Sequence, residues 1–131
     1  VSMAEFPPKT DITMFYNTYK TTLNQYPLDM VLSWLDNDIE YISKNQIPEN
    51  GIISIKKKHN IDVFDVALID GSEFTGMAEL EHLYGSRFIL LDDINAYKNY
   101  KTHEKLRSST SYKCIQEDYK TRNGFSIFMK V

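Results

Sequence analysis

Apolar and polar positions divide this chain into two stretches of different clarity. From about residue 61 onward the pattern is sharp. Val63-Phe64-Asp65-Val66-Ala67-Leu68-Ile69 is a short, nearly continuous apolar run, as expected of a strand covered on both faces in a parallel sheet. It stops at the turn pair Asp70-Gly71. Ser72 or Thr75 then caps a helix over Thr75–Tyr84, with Met77, Leu80, Leu83 and Tyr84 at helical spacing and Gly85 at its stop. A second apolar run, Arg87-Phe88-Ile89-Leu90-Leu91, ends at Asp92-Asp93, and a further helix is predicted from Asn95 to about Arg107. Tyr112–Tyr119 and Phe125–Met129 flank Asn123-Gly124, the strongest short hairpin signal. This order predicts a strand–helix–strand crossover in which Ile61–Ile69 and Phe88–Leu91 are adjacent parallel strands at the sheet centre. An antiparallel hairpin then finishes the sheet.

The first sixty residues are less regular. Leu28, Val31, Leu32, Leu35, Ile39 and Ile42 recur at three- and four-residue steps and predict a helix over Asp29–Lys44. Asp11–Tyr16 reads as a strand. Pro48–His59 reads either way, since Pro48 suits a helix start and Gly51-Ile-Ile-Ser-Ile suits a strand. With no repeats or long linkers, residues 1–131 are expected to form one domain.

Composition narrows the function classes. The 131 residues are 42% hydrophobic and 25% charged, as in an ordinary globular domain. A net charge of -3 and the lack of a basic stripe speak against nucleic acid and membrane surfaces as partners. No apolar run approaches the roughly 20 residues of a membrane helix. The opening VSMAEFPPKT has no basic segment followed by an apolar one, so no export signal is read there and the cytoplasm is the expected compartment. The single cysteine, Cys114, excludes an internal disulfide and reads as packing.

Candidate chemistry concentrates at two strand ends. Asp70, Asp92 and Asp93 close neighbouring predicted parallel strands, the edge at which open α/β sheets bind ligands. Converging carboxylates there suit Mg²⁺ or Ca²⁺. The same residues serve equally as turn and cap groups. A regular strand also points Asp92 and Asp93 to opposite faces. His103, ten residues beyond the Asp-Asp pair, is the histidine placed to act as a base over this edge. His59, His82, the run Lys56-Lys57-Lys58 and the basic helix carrying Lys98, Lys101, Lys105 and Arg107 read as solvated surface.

The stretch FDVALIDGSEFTGMAELEHLYGSRFILLDDINAYKNYKTHEKL and the closing RNGFSIFMK resemble the C-terminal half of class I S-adenosylmethionine-dependent methyltransferases. The likeness covers a little over half the chain. It implies an α/β, Rossmann-like three-layer domain with a mostly parallel sheet. It also implies a metal-assisted O-methyl transfer to a small hydroxylated molecule such as a sugar. Asp70 and Asp92, with Asp93 or Asn95 third, would hold a divalent cation that lowers the pKa of the substrate hydroxyl. The chain departs from the family where the cofactor is held, because its earliest glycine is Gly51 and no glycine-rich loop precedes the IDG strand. Such a loop needs bare backbone for its tight turn and close approach. Two expectations follow: a degenerate or incomplete methyltransferase-like domain, or a non-enzymatic module that completes its sheet with another chain. An uncovered half-sheet further predicts a homo-oligomer.

The missing loop generates a direct prediction. A ligand at a hundred times its dissociation constant stabilises a binder by about 2.7 kcal/mol, several degrees of melting temperature in a domain of this size. Millimolar S-adenosylmethionine, with or without Mg²⁺, is expected to leave the thermal transition unmoved. A saturable rise of several degrees would contradict this.

Overall fold

The computed structural model describes residues 1–131. Five α-helices and four strands follow in the order α1 (Lys9–Thr18), α2 (Leu28–Lys44), α3 (Gly51–His59), β1 (Val66–Ile69), α4 (Gly76–Leu83), β2 (Phe88–Asp92), α5 (Tyr100–Ser108), β3 (Tyr112–Asp118) and β4 (Phe125–Lys130). The fold is α/β. No helix is long and apolar enough to cross a membrane.

The sheet order is β1-β2-β4-β3. β1 and β2 are parallel neighbours, as the crossover pattern predicts, with Val66 beside Phe88 and Ile69 beside Leu91. The β2–β4 and β4–β3 pairs are antiparallel, so the sheet is mostly antiparallel and the expectation of a mostly parallel one is corrected. The correction has a topological cause. β1, β2 and β3 run the same way and are joined by crossovers through α4 and α5, but the hairpin folds β4 back antiparallel between β2 and β3, so two of the three strand pairs are antiparallel. β1 is also shorter than expected and lies at the sheet edge, not its centre. Its side chains alternate between exposed and buried, with Val66 59% and Leu68 61% exposed while Ile69 is fully buried.

One sheet face carries the main core. Ala67, Ile69, Ile89, Leu91 and Phe128 pack against Leu80 and Leu83 of α4 and Leu106 of α5. A second core lies apart from it, where Ile12 and Phe15 of α1 and Val31 and Leu35 of α2 enclose Phe74, with Tyr97 and Tyr100 against its margin. Phe15 meets Tyr97 and Tyr100 edge-on, at 5.0 and 5.4 Å between ring centroids. The tyrosines of the basic helix region are therefore packing groups.

Local chemistry explains the N-terminal elements. α2 forms as its periodicity predicts, entered through Pro27, with Asp29 in its first turn and Lys44 in its last. The Asp11–Tyr16 segment is helical, not a strand, because Ile12 and Phe15 stand three apart and share one buried face, whereas Met14 is exposed. The ambiguous Pro48–His59 segment resolves to helix because Asn50 caps it, its Oδ1 accepting from the Ile52 N–H at 2.8 Å, and Asn60 ends it in the left-handed region at φ 53°.

Two C-terminal boundaries also differ. The segment expected to begin a helix at Asn95 is a turn, and α5 starts at Tyr100. The Asn95 backbone is already engaged, its N–H donating to Asn123 O and its carbonyl accepting from Thr22. The hairpin forms, but through a longer loop in which Arg122 and Gly124, not Asn123, take positive φ. At Gly124 (φ +81°) a Cβ would also come within 2.8 Å of Ile94.

Gly76 opens α4 against the segment preceding α5. A Cβ there would lie 2.0 Å from Lys98 O and 2.4 Å from Asn99 Oδ1. Helix propensity alone favours Gly76→Ala by about 1 kcal/mol. Overpacking costs typically ~1–3 kcal/mol, and here the obstacle is backbone. Gly76→Ala is therefore expected to lower stability in chemical denaturation, and a stabilised variant would show that the two segments separate readily.

Candidate functional site

The C-terminal ends of the parallel pair are tied together by one side chain. Asn99, fully buried just before α5, donates through Nδ2 to Ile69 O at 2.9 Å and to Asp92 O at 2.7 Å. These are the last carbonyls of β1 and β2. Its Oδ1 is buried with no hydrogen-bond partner.

Beyond this clamp the chain brings Asp70, Asp92 and Asp93 together, with one carboxylate oxygen from each within 4.8 Å of the others. Asp70 and Asp92 continue the alternation of their strands onto the same sheet face, as their registers require. Asp93 joins them because the strand does not stay regular. It adopts φ 54°, a left-handed conformation that Asp tolerates better than most residues. The Asp93 N–H also donates to Asp92 Oδ1 at 3.0 Å. The third carboxylate is thus Asp93 and not Asn95.

A cation of the protein already faces this cluster. Lys98 Nζ lies 3.0 Å from Asp70 Oδ1 and 2.8 Å from Asp93 Oδ2, with only 11% of its side chain exposed. Burial works against its charge, but the hydrogen bonds to Asp93 and Asp70 outweigh it and its pKa is raised. Asp92, which Lys98 does not bridge, has its pKa raised by burial and by the neighbouring Asp93.

A fourth carboxylate sits behind these. Glu73 accepts from the Lys98 backbone N–H at 3.4 Å. Burial pushes its pKa up to about 7, with Asp93 adding to the rise and Lys98 opposing it. It is part-charged near neutrality.

His103 is placed elsewhere. It is 4% exposed, with Nδ1 2.9 Å from Ser126 Oγ and Nε2 2.9 Å from Tyr119 Oη. Glu117 Oε2 is 3.3 Å from the same Nε2. Burial lowers its pKa against the opposing pull of Glu117. Its ring fastens α5 to the β3–β4 hairpin and contributes nothing to the carboxylate cluster. His82, read as solvated, instead pairs with Glu5 at 3.3 Å.

Sequence reasoning placed the three aspartates and missed Asn99, Lys98 and Glu73. Lys98 looked like one of several surface cations, and Glu73 and Asn99 carry no signal beyond nearness to turns.

Glu73 supplies a pH test. Its folded pKa of about 7 lies above the ordinary carboxylate value of 4.5, so the folded chain holds this proton more tightly than the unfolded one. Its penalty is absent below about pH 4.5, grows as pH rises through this window and is complete above about 7. Each pKa unit corresponds to ~1.4 kcal/mol at most, and partial exposure reduces this. Glu73→Gln is expected to match the wild type near pH 4.5 and to exceed its stability at pH 8 by about 1–2 kcal/mol. Equal stabilities at pH 8 would exclude the shift.

No protein-family model, curated protein or solved structure matches this chain, so its function is argued from this geometry.

Proposed function

We propose that the chain is a methyltransferase-like domain in which Asp70, Asp92 and Asp93 hold a divalent cation and present it to a hydroxyl of a small molecule such as a sugar. The observation that carries this reading is the convergence of the three carboxylates at the ends of the parallel pair, achieved through the left-handed Asp93. Hard cations favour such oxygen donors. A bound cation supplies Lewis-acid polarisation of the hydroxyl. Asp92, the carboxylate Lys98 does not bridge, is the primary ligand, and Lys98 must swing away from Asp70 and Asp93 for the set to close.

The residues do not fit S-adenosylmethionine as that family holds it. The earliest glycine, Gly51, lies in the first turn of α3 and not in a loop after a strand. No methyl-transfer step is therefore derived for this chain.

A second reading is favoured by Lys98 itself. An ammonium 3.0 and 2.8 Å from two of the three carboxylates compensates their charge without a metal. On this reading the cluster is structural, and the chain is a non-enzymatic module that pairs the free edge of β1 with another chain.

Calorimetric titration with Mn²⁺ and Mg²⁺ separates the two. The cation reading expects saturable binding at millimolar concentration, lost in Asp92→Asn. It also expects binding about tenfold tighter in Lys98→Met, a gain of ~1.4 kcal/mol, because the metal no longer competes with the ammonium. Absence of binding in both the wild type and Lys98→Met would leave the structural reading.

A further inference from the structure

The face of the sheet opposite α4 and α5 carries no helix. Strand register sorts it into rows running across the strands. Val66, Phe88, Met129 and Lys113 form the first row, and Leu68, Leu90, Ile127 and Gln116 the second. Asp92, Phe125 and Asp118 form the third. None of the apolar members belongs to either buried core, and Leu68 stands 61% exposed. The face is thus apolar through its middle and charged at its two ends.

The ends have opposite sign. At the first row Lys113 is exposed, and the Arg87 guanidinium lies over the Phe88 ring, 5.5 Å from its centroid. At the third row stand Asp92 and Asp118, with Asp70 next to Asp92. The Lys98 ammonium offsets Asp70 and Asp93, so Asp92 and Asp118 set the sign of this end. Hydrogen bonds from Thr121 and Lys120 hold the Asp118 carboxyl below its ordinary range, so it stays charged.

We infer that this face packs against the same face of a second copy, about a two-fold axis lying in the interface and perpendicular to the strands. That rotation keeps each strand over its own counterpart and reverses the rows. Lys113 then meets Asp118 of the second copy, Arg87 meets the Asp92 end, and the Leu68–Leu90–Ile127 row packs on itself. A two-fold axis along the strands would instead set Lys113 over Val66 and leave both charged ends against their like. Charge complementarity therefore selects both the occupant and the axis. Two sheets stacked in this way lie ~10 Å apart with nearly aligned strands.

Size sets the strength. Four strands of about five residues outline roughly 19 by 17 Å, or about 300 Å² of flat face per copy. This is below the ~800 Å² per partner of a standard interface, so the dimer is concentration-dependent. The Lys113–Asp118 contact and the apolar middle row carry the inference without Asp92, the residue proposed above as a cation ligand.

Sedimentation equilibrium over concentrations up to the order of 1 mM tests it. The 15.3 kDa chain is expected to shift reversibly to a species of twice that mass, and no further. Leu68→Lys and Lys113→Glu alter exposed side chains, so both should keep the wild-type circular dichroism and melting temperature. Leu68→Lys is expected to remain monomeric throughout, and Lys113→Glu to weaken the dimer at least tenfold. A wild type monomeric at the highest concentration would overturn the inference. So would an open-ended series of larger species, or a dimer indifferent to both substitutions.

Discussion

The hydrogen bonds from Asn99 to the last carbonyls of β1 and β2 hold the aspartate-bearing end of this molecule together. β1 is an edge strand of four residues, and a short parallel pair is a weak unit without support at its ends. The Asn99 amide gives both terminal carbonyls a donor that no strand supplies. Because that amide is committed to the strands, α5 begins only after it. Because Lys98 and Asn99 sit low over the sheet, α4 must start on a residue without a Cβ. The position of Lys98 above the aspartates follows from the same anchoring.

The carboxylate cluster concentrates like charge at one strand end, and the chain offsets it in two ways. Lys98 bridges Asp70 and Asp93, and Glu73 behind them holds its proton up to about pH 7. The Lys98 bridge lowers the electrostatic cost of folding without a bound ion, whereas Glu73 avoids adding a full charge to the cluster only while it keeps its proton, and costs stability above about pH 7. Lys98 also opposes ion binding, since a metal must compete with an ammonium already in place. Asp93 carries a further cost in its left-handed backbone, of order 1–3 kcal/mol for a sparsely populated conformation and less for an aspartate.

Coverage of the sheet is one-sided. α4 and α5 bury one face, whereas α1 and α2 gather around Phe74, Tyr97 and Tyr100 and form their own core. Half-buried side chains on the open face shelter one another laterally, and Phe88 lies under the Arg87 guanidinium, but no helix packs over the row. A face of about 300 Å² is no larger than the apolar patch a monomer commonly exposes, so area by itself does not call for a further layer. The opposite charges at its two ends supply the direction that bare hydrophobicity lacks.

Much of this was legible in the sequence, in proportion to how local the deciding physics is. Periodicity alone located α2, α4, β2 and the hairpin, because burial of one face is written into residue spacing. The pairing of β1 with β2 as parallel neighbours followed from two apolar runs separated by a helix. Asp70, Asp92 and Asp93 were visible as residues closing those runs. The rest depended on contacts between segments far apart in the chain. The short β1 and its edge position were decided by which strand pairs with β2, and the helical α1 by a core shared with residues some sixty positions away. His103 looked like a base above the aspartates and is instead held by Ser126 and Tyr119 on the hairpin. Asp93 turns into the cluster only by leaving the strand's alternation, which residue spacing cannot express. The sequence by itself determined which segments bury an apolar face and where acidic groups end strands. Only the tertiary structure decided which face stayed bare, which cation met the aspartates and which amide closed the strands, because those depend on long-range packing and not on local pattern.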